Sequence, residues 1–434
     1  MSAQLRTVPI RNFYAIERPE SFAARRGRPT VVDLFCGAGG LSLGLANAGW
    51  DVRLGSDFHP ACAATHQRNF PRVPFYQGDI RLLTPDAVLD MARIRPGELD
   101  MLAGGPPCQG FSILGQRAPD DPRNGLFGTF LDLAAAIRPK VILIENVPGL
   151  ATLDGGRMLS AISRRFDEMG YDADCAELVA AQYGVPQLRW RLAFIAWRRD
   201  LGKRGGFPHP THGSAGIGDL VPNRTLHAAH ADGFLSVFDA IGDLPEVAAG
   251  GMAHHYTRGP QTEYQVAMRA ANGDGVENHY APKLAEQNIR RILALKPGQD
   301  WRALPNHLLP AGMQRALRKD HTRRYRRMTW EGVARSIITR FRDPKSGEYI
   351  HPEQTRTISI REAARIQSFP DWFVFCGSNS ELYDQVGNAV PPLLARAIGA
   401  EVLKVLKARK PPRFAAPKSR YRLEQLPLAL SFAA

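Results

Sequence analysis

The chain of 434 residues is poor in cysteine, and its five cysteines, at 36, 62, 108, 175 and 376, are scattered. None forms a C-x-x-C pair and their number is odd, which argues against a disulfide framework or a structural zinc site and for a reducing compartment. His209 with His212, and His254 with His255, have no cysteine or acidic partners nearby, so they read as loop histidines and no metal is expected. No run of about 18 apolar residues occurs. Met1 to Pro29 is mixed polar, ends in Arg25, Arg26 and Arg28, and has no apolar signal core. A cytosolic protein without membrane contact is therefore expected. There is no internal repeat. Acids are scarce: 42 Asp and Glu face 56 Lys and Arg, for a net charge of +14. A surplus of that size predicts a polyanionic partner, DNA or RNA once a membrane is set aside.

Hydrophobic residues make up 44% of the chain, and its length suits a large core with a smaller appended unit. From Thr30 to about Arg199, short apolar runs alternate with helical stretches. Examples are Thr30–Phe35, Asp51–Ser56, Met101–Ala103, Val141–Ile144 and Arg191–Trp197. That βαβ rhythm predicts an α/β fold with a doubly wound, mostly parallel sheet. From about Asp200 the pattern breaks, and Gly, Pro, His and Asn dominate Gly202–Gly218 and Gly250–Gly275. Pattern returns near Thr357. Ser359–Ser368 reads as a helix with Arg361, Glu362 and Arg365 on its polar face, and Pro391–Lys407 as a final amphipathic helix. The expected organisation is a basic N-terminal arm (1–29), a catalytic and cofactor-binding domain (30–200) and an inserted irregular domain (201–335). A return to the first domain (336–407) and a basic tail (408–434) follow.

Thr30–Leu45 reads T-V-V-D-L-F-C-G-A-G-G-L-S-L-G-L: a strand, a glycine turn and a helix. Gly37, Gly39 and Gly40 allow a tight bend and close approach of a ligand to the backbone. Asp57 closes the next strand about twenty residues on and could accept bonds from both hydroxyls of a ribose. This fits any adenosine-containing cofactor, a nicotinamide dinucleotide included, although the spacing is not a clean G-x-G-x-x-G. Phe58 could cover an adenine. Asp79, in G-D-I before Ile80, could bond an adenine amino group or simply cap a helix.

Gly104–Ser112 reads G-G-P-P-C-Q-G-F-S directly after the strand Met101–Ala103. Pro106 and Pro107 stiffen a turn that holds Cys108 where doubly wound folds bind ligands. A cysteine fixed there is a candidate nucleophile, with Cys36 as its competitor. At this point the sequence resembles the DNA (cytosine-5) methyltransferase family of bacterial restriction–modification systems. Phe35–Gly40 resembles the family's cofactor loop and Gly104–Ser112 its catalytic motif. Glu145, Asn146 and Val147 match its E-N-V motif, and Gln182–Arg191 (Q-Y-G-V-P-Q-L-R-W-R) its arginine motif. Arg356–Phe373 and Gln385–Pro392 (Q-V-G-N-A-V-P-P) match its closing segments. The six motifs stand in the family's order and cover about residues 30–200 and 335–405.

The resemblance implies the S-adenosylmethionine-dependent methyltransferase fold, with a target-recognition region at 201–335. It implies methyl transfer from S-adenosylmethionine to carbon 5 of a cytosine in duplex DNA. Cys108 would attack carbon 6 as a thiolate, Glu145 would donate a hydrogen bond or proton at nitrogen 3, and Asn146 would brace the cysteine turn. Arg191 would bind the cytosine carbonyl oxygen, with Arg189 beside it. Phe35, Gly37, Gly39, Asp57, Phe58, Asp79, Ile80, Pro107, Leu126 and Asn388 would line the cofactor. A target base inside a duplex must be flipped out to reach such a pocket. Gln109 to Phe127 resembles the mobile loop that closes over DNA, with Gln109, Ser112 and Arg123 on the DNA; an ordinary surface loop is the plain alternative.

Ten cations, Arg315, Arg318, Lys319, Arg323, Arg324, Arg326, Arg327, Arg335, Arg340 and Arg342, face only Asp320 and Glu331, with Tyr325 and Trp330 among them. A run so one-sided suits phosphate tracking, with Arg323, Arg324, Arg326 and Arg327 at its centre. Which residues of 201–335 read bases is not legible. The expected partners are double-stranded DNA and a functionally paired restriction endonuclease, and the expected state is a monomer in the bacterial cytosol. The alternatives are a transfer RNA cytosine methyltransferase on the same core, a DNA-binding regulator that has lost the chemistry, and a nicotinamide dehydrogenase. The large basic insert favours DNA, Cys108 and Glu145 are both present, and a dehydrogenase leaves the cysteine motif unexplained.

Overall fold

The computed structural model describes residues 13–18, 27–107, 125–213, 233–270, 272–314, 324–408 and 420–421. Along the first half of the chain run β1 (Thr30–Leu34), α1 (Gly40–Ala48), β2 (Asp51–Asp57), α2 (Pro60–Asn69), β3 (Phe75–Gln77), α3 (Pro85–Ala92) and β4 (Met101–Gly104). They are followed by α4 (Leu126–Ile137), β5 (Val141–Asn146), α5 (Gly149–Thr152), α6 (Arg157–Glu168), β6 (Tyr171–Val179), β7 (Gln187–Leu188) and β8 (Trp190–Arg198). The main sheet has the strand order β10-β6-β8-β5-β4-β1-β2-β3, where β10 (Arg420–Tyr421) pairs antiparallel with β6. Strands β1 to β5 are parallel, and β8 runs antiparallel to both β5 and β6. The order reverses between β1 and β4, so the crevice at their carboxyl ends is where this topology binds ligands.

The central strands read as continuous apolar runs because helices cover both faces. Val31, Leu143, Ile195 and Trp197 point to one core with Leu41 and Leu45 of α1. Val32, Leu34, Ile142 and Ile144 point to the other with Phe130 of α4 and Phe166 of α6. Beyond β8 come α7 (Val237–Ile241), α8 (Glu263–Arg269), α9 (Glu286–Leu293), α10 (Ala311–Gln314), β9 (Ala334–Arg335), α11 (Ile360–Ile366), α12 (Asn379–Asn388) and α13 (Pro392–Lys407). The last helix returns to the first: a methyl at Gly44 of α1 would lie 2.4 Å from both Ala395 Cβ and Pro392 O, and Trp50 donates to Gly399 O at 2.9 Å. Trp301, Leu304 and Tyr325 form a small core of their own, whereas Ile241, Tyr264 and Met268 join the main core beside Ile366 and Phe369. Among the described residues no helix is long and apolar enough to cross a membrane.

One expectation is corrected. The helix over 359–368 is Ile360–Ile366, capped by Ser359 and Glu362, but it has no solvent-facing polar side: Arg361, Glu362 and Arg365 are fully buried. Helix α11 is enclosed by the insert, so its charges are satisfied inside. Glu362 takes both nitrogens of Arg356 at 2.7 Å, Arg365 holds Asp371 (2.9 and 2.6 Å) and Asp243, and Arg361 donates to Glu277 O and Phe373 O. Phe13–Arg18 docks on the fold: Ile16 is buried, Asn47 of α1 bonds Glu17 N and O, Arg396 of α13 donates to Ala15 O, and Tyr14 OH meets His212 at 2.9 Å.

Candidate active site

The turn after β1 bends through three left-handed residues, Phe35, Gly37 and Gly39. A side chain at Gly39 would also meet the Phe70 ring at 2.8 Å, so glycine is required there twice over. The turn is tied to the next strand, since the Gly37 amide donates to Asp57 Oδ2 at 2.9 Å and the His59 amide to Asp57 Oδ1 at 2.9 Å. Each oxygen of this half-buried carboxylate takes one backbone amide and keeps acceptor capacity. Phe58, next in sequence, is 65% exposed beside it. Asp57 and Phe58 thus fit a nucleoside, with an acceptor pair for a ribose diol and an uncovered ring for a base.

Asp79 is the helix cap that the sequence left open. Its carboxylate accepts from the Arg81 amide at 3.0 Å and from Arg81 Nε at 2.9 Å, and that guanidinium holds its pKa low. Ile80 behind it is buried. Leu126 and Asn388 begin α4 and end α12, the first half-buried and the second exposed.

Beneath the turn lies a group that sequence reasoning missed. Asp33 on β1 has zero exposure; Ser42 of α1 donates to its Oδ2 at 2.6 Å, and its Oδ1 has no partner among the described residues. Burial, with the Asp57 charge adding to it, lifts its pKa to about 7. The available signal was the lone acid inside the apolar run T-V-V-D-L. The same burial, with Asp33 and Asp57 nearby, pushes the Cys36 thiol far up, which removes Cys36 as a rival thiolate.

Cys108, Gln109, Ser112, Arg123 and Arg323 lie outside the described residues. The frame that leads into Cys108 is described up to Pro107. Asn146 Nδ2 donates to Pro106 O at 2.9 Å while its Oδ1 accepts from Val147 N at 2.9 Å, so this buried amide braces the turn from β5. Glu145, one residue earlier, meets Arg191 of β8 across the strand ends. Arg191 Nε lies 2.6 Å from Glu145 Oε1, with side-chain exposures of 13% and 11%. The approach is an ion pair rather than a well-directed hydrogen bond, since that oxygen has no aligned donor. A methyl at Gly105 would stand 3.5 Å from Glu145 Oε2, so the turn passes directly beside the carboxylate. The turn that leads into Cys108, a carboxyl group and a guanidinium therefore share one crevice.

Arg189 does not share it. This side chain is 1% exposed and donates to Ile337 O (2.6 Å), Gly387 O (3.1 Å) and Ala389 O (3.0 Å). It is a strut between β8 and the return segment, not a base or phosphate contact. The basic run is corrected on the same grounds. Arg327 is buried and donates to four carbonyls, of Leu295, His351, Glu353 and Gln354, and Arg326 pairs with Glu348 at 3.0 Å. Arg324, Arg340 and Arg342 are the run's exposed members among the described residues.

The chain matches the sequence profile of the family described as C-5 cytosine-specific DNA methylase over residues 29–404. It is 33% identical over 429 residues to the type II methyltransferase M.AgeI of Thalassovita gelatinovora, covering 86% of this chain and 99% of that one. It is 34% identical to M1.HphI of Haemophilus parahaemolyticus, covering 87% of each. Among solved structures it superposes on a prophage-encoded E. coli protein assigned as a DNA modification methyltransferase. That match has a TM-score of 0.67 at 25% identity and covers 88% of this chain and 100% of the other.

Proposed function

The chain belongs to the C-5 cytosine-specific DNA methylase family and is a DNA (cytosine-5) methyltransferase of restriction–modification type. From that premise we propose that it methylates carbon 5 of a flipped-out cytosine in a specific duplex sequence, through a covalent adduct with Cys108, using S-adenosylmethionine. The observation that carries the proposal is the Glu145–Arg191 pair at 2.6 Å beside the braced Pro106–Pro107 turn.

When bound, S-adenosylmethionine supplies an electrophilic methyl on a positively charged sulfur. Asp57 places an acidic side chain at the carboxyl end of β2, which suits a cation better than the diphosphate of a dinucleotide. Asp57 would accept from the ribose hydroxyls, and Phe58 and Ile80 would flank the adenine with Asp79 toward its amino group. Phe35, Gly37 and Gly39 would bring backbone against the ligand, and Pro107, Leu126 and Asn388 would close its far side.

The chemistry needs the rest. Carbon 5 of cytosine is a weak nucleophile until a thiolate adds to carbon 6 and turns the ring into an enamine. Cys108 adds, and negative charge moves toward nitrogen 3. Glu145 would answer it there with a hydrogen bond or proton. Arg191, already beside Glu145, holds the ring carbonyl oxygen. After transfer the carbon 5 proton leaves to water or hydroxide and the Cys108 thiolate is expelled. Asn146 keeps the turn in place throughout. Gln109, Ser112 and Arg123 would grip the DNA as the segment after Cys108 closes, and Arg323 and Arg324 would meet phosphate. The partner is double-stranded DNA, a cognate endonuclease cuts the same site in the same cell, and the enzyme works as a monomer in the cytosol.

The test is a duplex carrying 5-fluorocytosine at the target. Fluorine blocks loss of the last proton, so enzyme and cofactor should leave a covalent protein–DNA complex that Cys108→Ser does not form. Active enzyme that gives no such complex would overturn the mechanism. Tritiated methyl incorporation into transfer RNA but not DNA would overturn the substrate.

A further inference from the structure

Residues 13–18 belong to no helix or strand, yet they bond to widely separated parts of the chain. Ile16 is buried, and its carbonyl accepts from Trp372 Nε1 at 3.2 Å. Asn47 of α1 bonds Glu17 N at 2.8 Å and Glu17 O at 3.1 Å. Arg396 of α13 donates to Ala15 O at 2.9 Å and to Phe13 O. These bonds fix the backbone of the segment to the two helices that pack together on one face of the main sheet. Its first two side chains reach elsewhere. Tyr14 OH meets His212 Nε2 at 2.9 Å, and the Phe13 ring lies 5.2 Å from the same imidazole. Tyr14 also packs edge-on against Tyr264 of α8, with ring centres 5.4 Å apart.

His212 stands where the chain leaves the sheet for the insert. Past β8, Gln182 O accepts from Thr211 N at 2.8 Å and from His212 N at 3.1 Å. One residue on, Gly213 N donates to Gly233 O at 3.0 Å, and α7 starts soon after behind its Ser236 cap. The exit from the sheet, the entry to α7 and the face of α8 therefore gather around Tyr14. Gly184, between β6 and β7, completes the socket. A methyl there would stand 3.0 Å from Phe13, 3.0 Å from His212 and 3.1 Å from Tyr14, so glycine lets three rings close on the backbone. Burial holds the His212 pKa below its usual value, which keeps a ring nitrogen as an acceptor for the Tyr14 hydroxyl.

We propose that Phe13–Arg18 is a strap that fixes the angle between the insert and the sheet, with Tyr14 as its positioning residue. The role rests on the reading above, in which the insert holds duplex DNA and the strand ends hold the target base. DNA gripped by one part must deliver a cytosine to groups carried by the other, and a misplacement of about 1 Å can cost about a hundredfold in rate. The bonds to Asn47 and Arg396 carry the strap's load on the sheet side. The rings on His212 and Tyr264 carry it on the insert side. Removing Tyr14 leaves the groups proposed to bind DNA and cofactor in place and degrades their alignment.

The experiment compares full-length wild type, Tyr14→Ala, Tyr14→Phe, His212→Leu and the Tyr14→Phe/His212→Leu double variant on a duplex of the enzyme's own recognition sequence. Tyr14→Ala should lower the methylation rate at saturating DNA and cofactor by about tenfold. Tyr14→Phe keeps the ring and loses one hydrogen bond, so it should lose about threefold. The double variant should lose no more than His212→Leu alone, because both changes break the same bond. The Kd values for the duplex and for S-adenosylmethionine should each move by less than about twofold. Hydrogen exchange in Tyr14→Phe should quicken at residues 208–213 and stay unchanged in β4 and β5. A saturated rate equal to wild type in both Tyr14 variants would overturn the strap, whatever happens to their urea midpoints. So would a loss that appears only as a weaker Kd for DNA or for cofactor. A wild type that methylates RNA and no duplex would overturn the DNA reading, and the strap with it.

Discussion

Replacing Asp33 by asparagine should stabilise the protein, and only above the pH at which a free carboxyl ionises. In the fold this carboxyl has no exposure, one bond from Ser42 at 2.6 Å and an oxygen without a partner among the described residues, and its pKa moves from 3.8 to about 7. The folded state thus keeps a proton that the unfolded chain gives up. Stability linked to Asp33 is fully present below 3.8, falls as pH rises through the window to about 7, and is flat above it. At 1.36 kcal/mol per pKa unit the full gap is on the order of 4 kcal/mol. Asparagine keeps the shape and an acceptor for Ser42 but never ionises. Buried histidines run the other way. His66 and His351, both lowered from 6.5 to about 3 by burial, cost stability as pH falls below 6.5. Asp371, held low by Arg365, loses its contribution only below its unfolded value of 3.8. These terms are common to both proteins, so the difference between variant and wild type isolates Asp33. Urea unfolding followed by tryptophan fluorescence from pH 4 to pH 8 reads it. The two should match near pH 4 and separate by a few kcal/mol at pH 7.5. A difference that does not change with pH, or a variant less stable than wild type at pH 8, would refute the reasoning.

Arg365→Met should cost about 3 kcal/mol, the low end for a broken buried pair, because Asp243 keeps Arg269 at 2.6 Å and Asp371 keeps Tyr256 at 2.5 Å; urea midpoints check it. Asn146→Ala removes the bond to Pro106 O and should lower kcat roughly tenfold to a hundredfold, with the cofactor Kd unchanged by calorimetry. Gly40→Ala would press a methyl to 2.3 Å from Val390 O. The shift of the cofactor turn should cost about 1–3 kcal/mol, read as weaker S-adenosylmethionine binding while DNA affinity holds.

The residues of the candidate site were legible because they sit in short motifs at strand ends. Glu145, Asn146 and Arg191 each fall where an apolar run meets a turn, and the fold converges those ends at the β1–β4 reversal. Among the strands that escaped notice are β6, whose run Y-D-A-D-C-A-E-L-V carries acids at Asp172 and Asp174, and β7 with only two residues. Charge misled most. Periodicity places Arg361 and Arg365 on a polar face, and charge density places Arg326 and Arg327 on DNA. Neither rule sees carbonyls and carboxylates brought from distant segments to satisfy a guanidinium out of water. Asp33 was passed over for the opposite reason, since one acid in a strand does not disturb the pattern around it.

The pairing of α1 with α13 has a consequence for synthesis. Trp50 donates to a carbonyl 349 residues downstream, and Gly44 is shaped to receive Ala395. At ribosomal speed those partners emerge roughly 20–70 s after α1. The helix that follows the cofactor turn therefore waits, without its packing surface, until almost the whole chain has been made. A nascent chain that has passed Arg191 but not α13 lacks the contact that seats α1. The packing that seats α1 is therefore made only after α13 has left the ribosome.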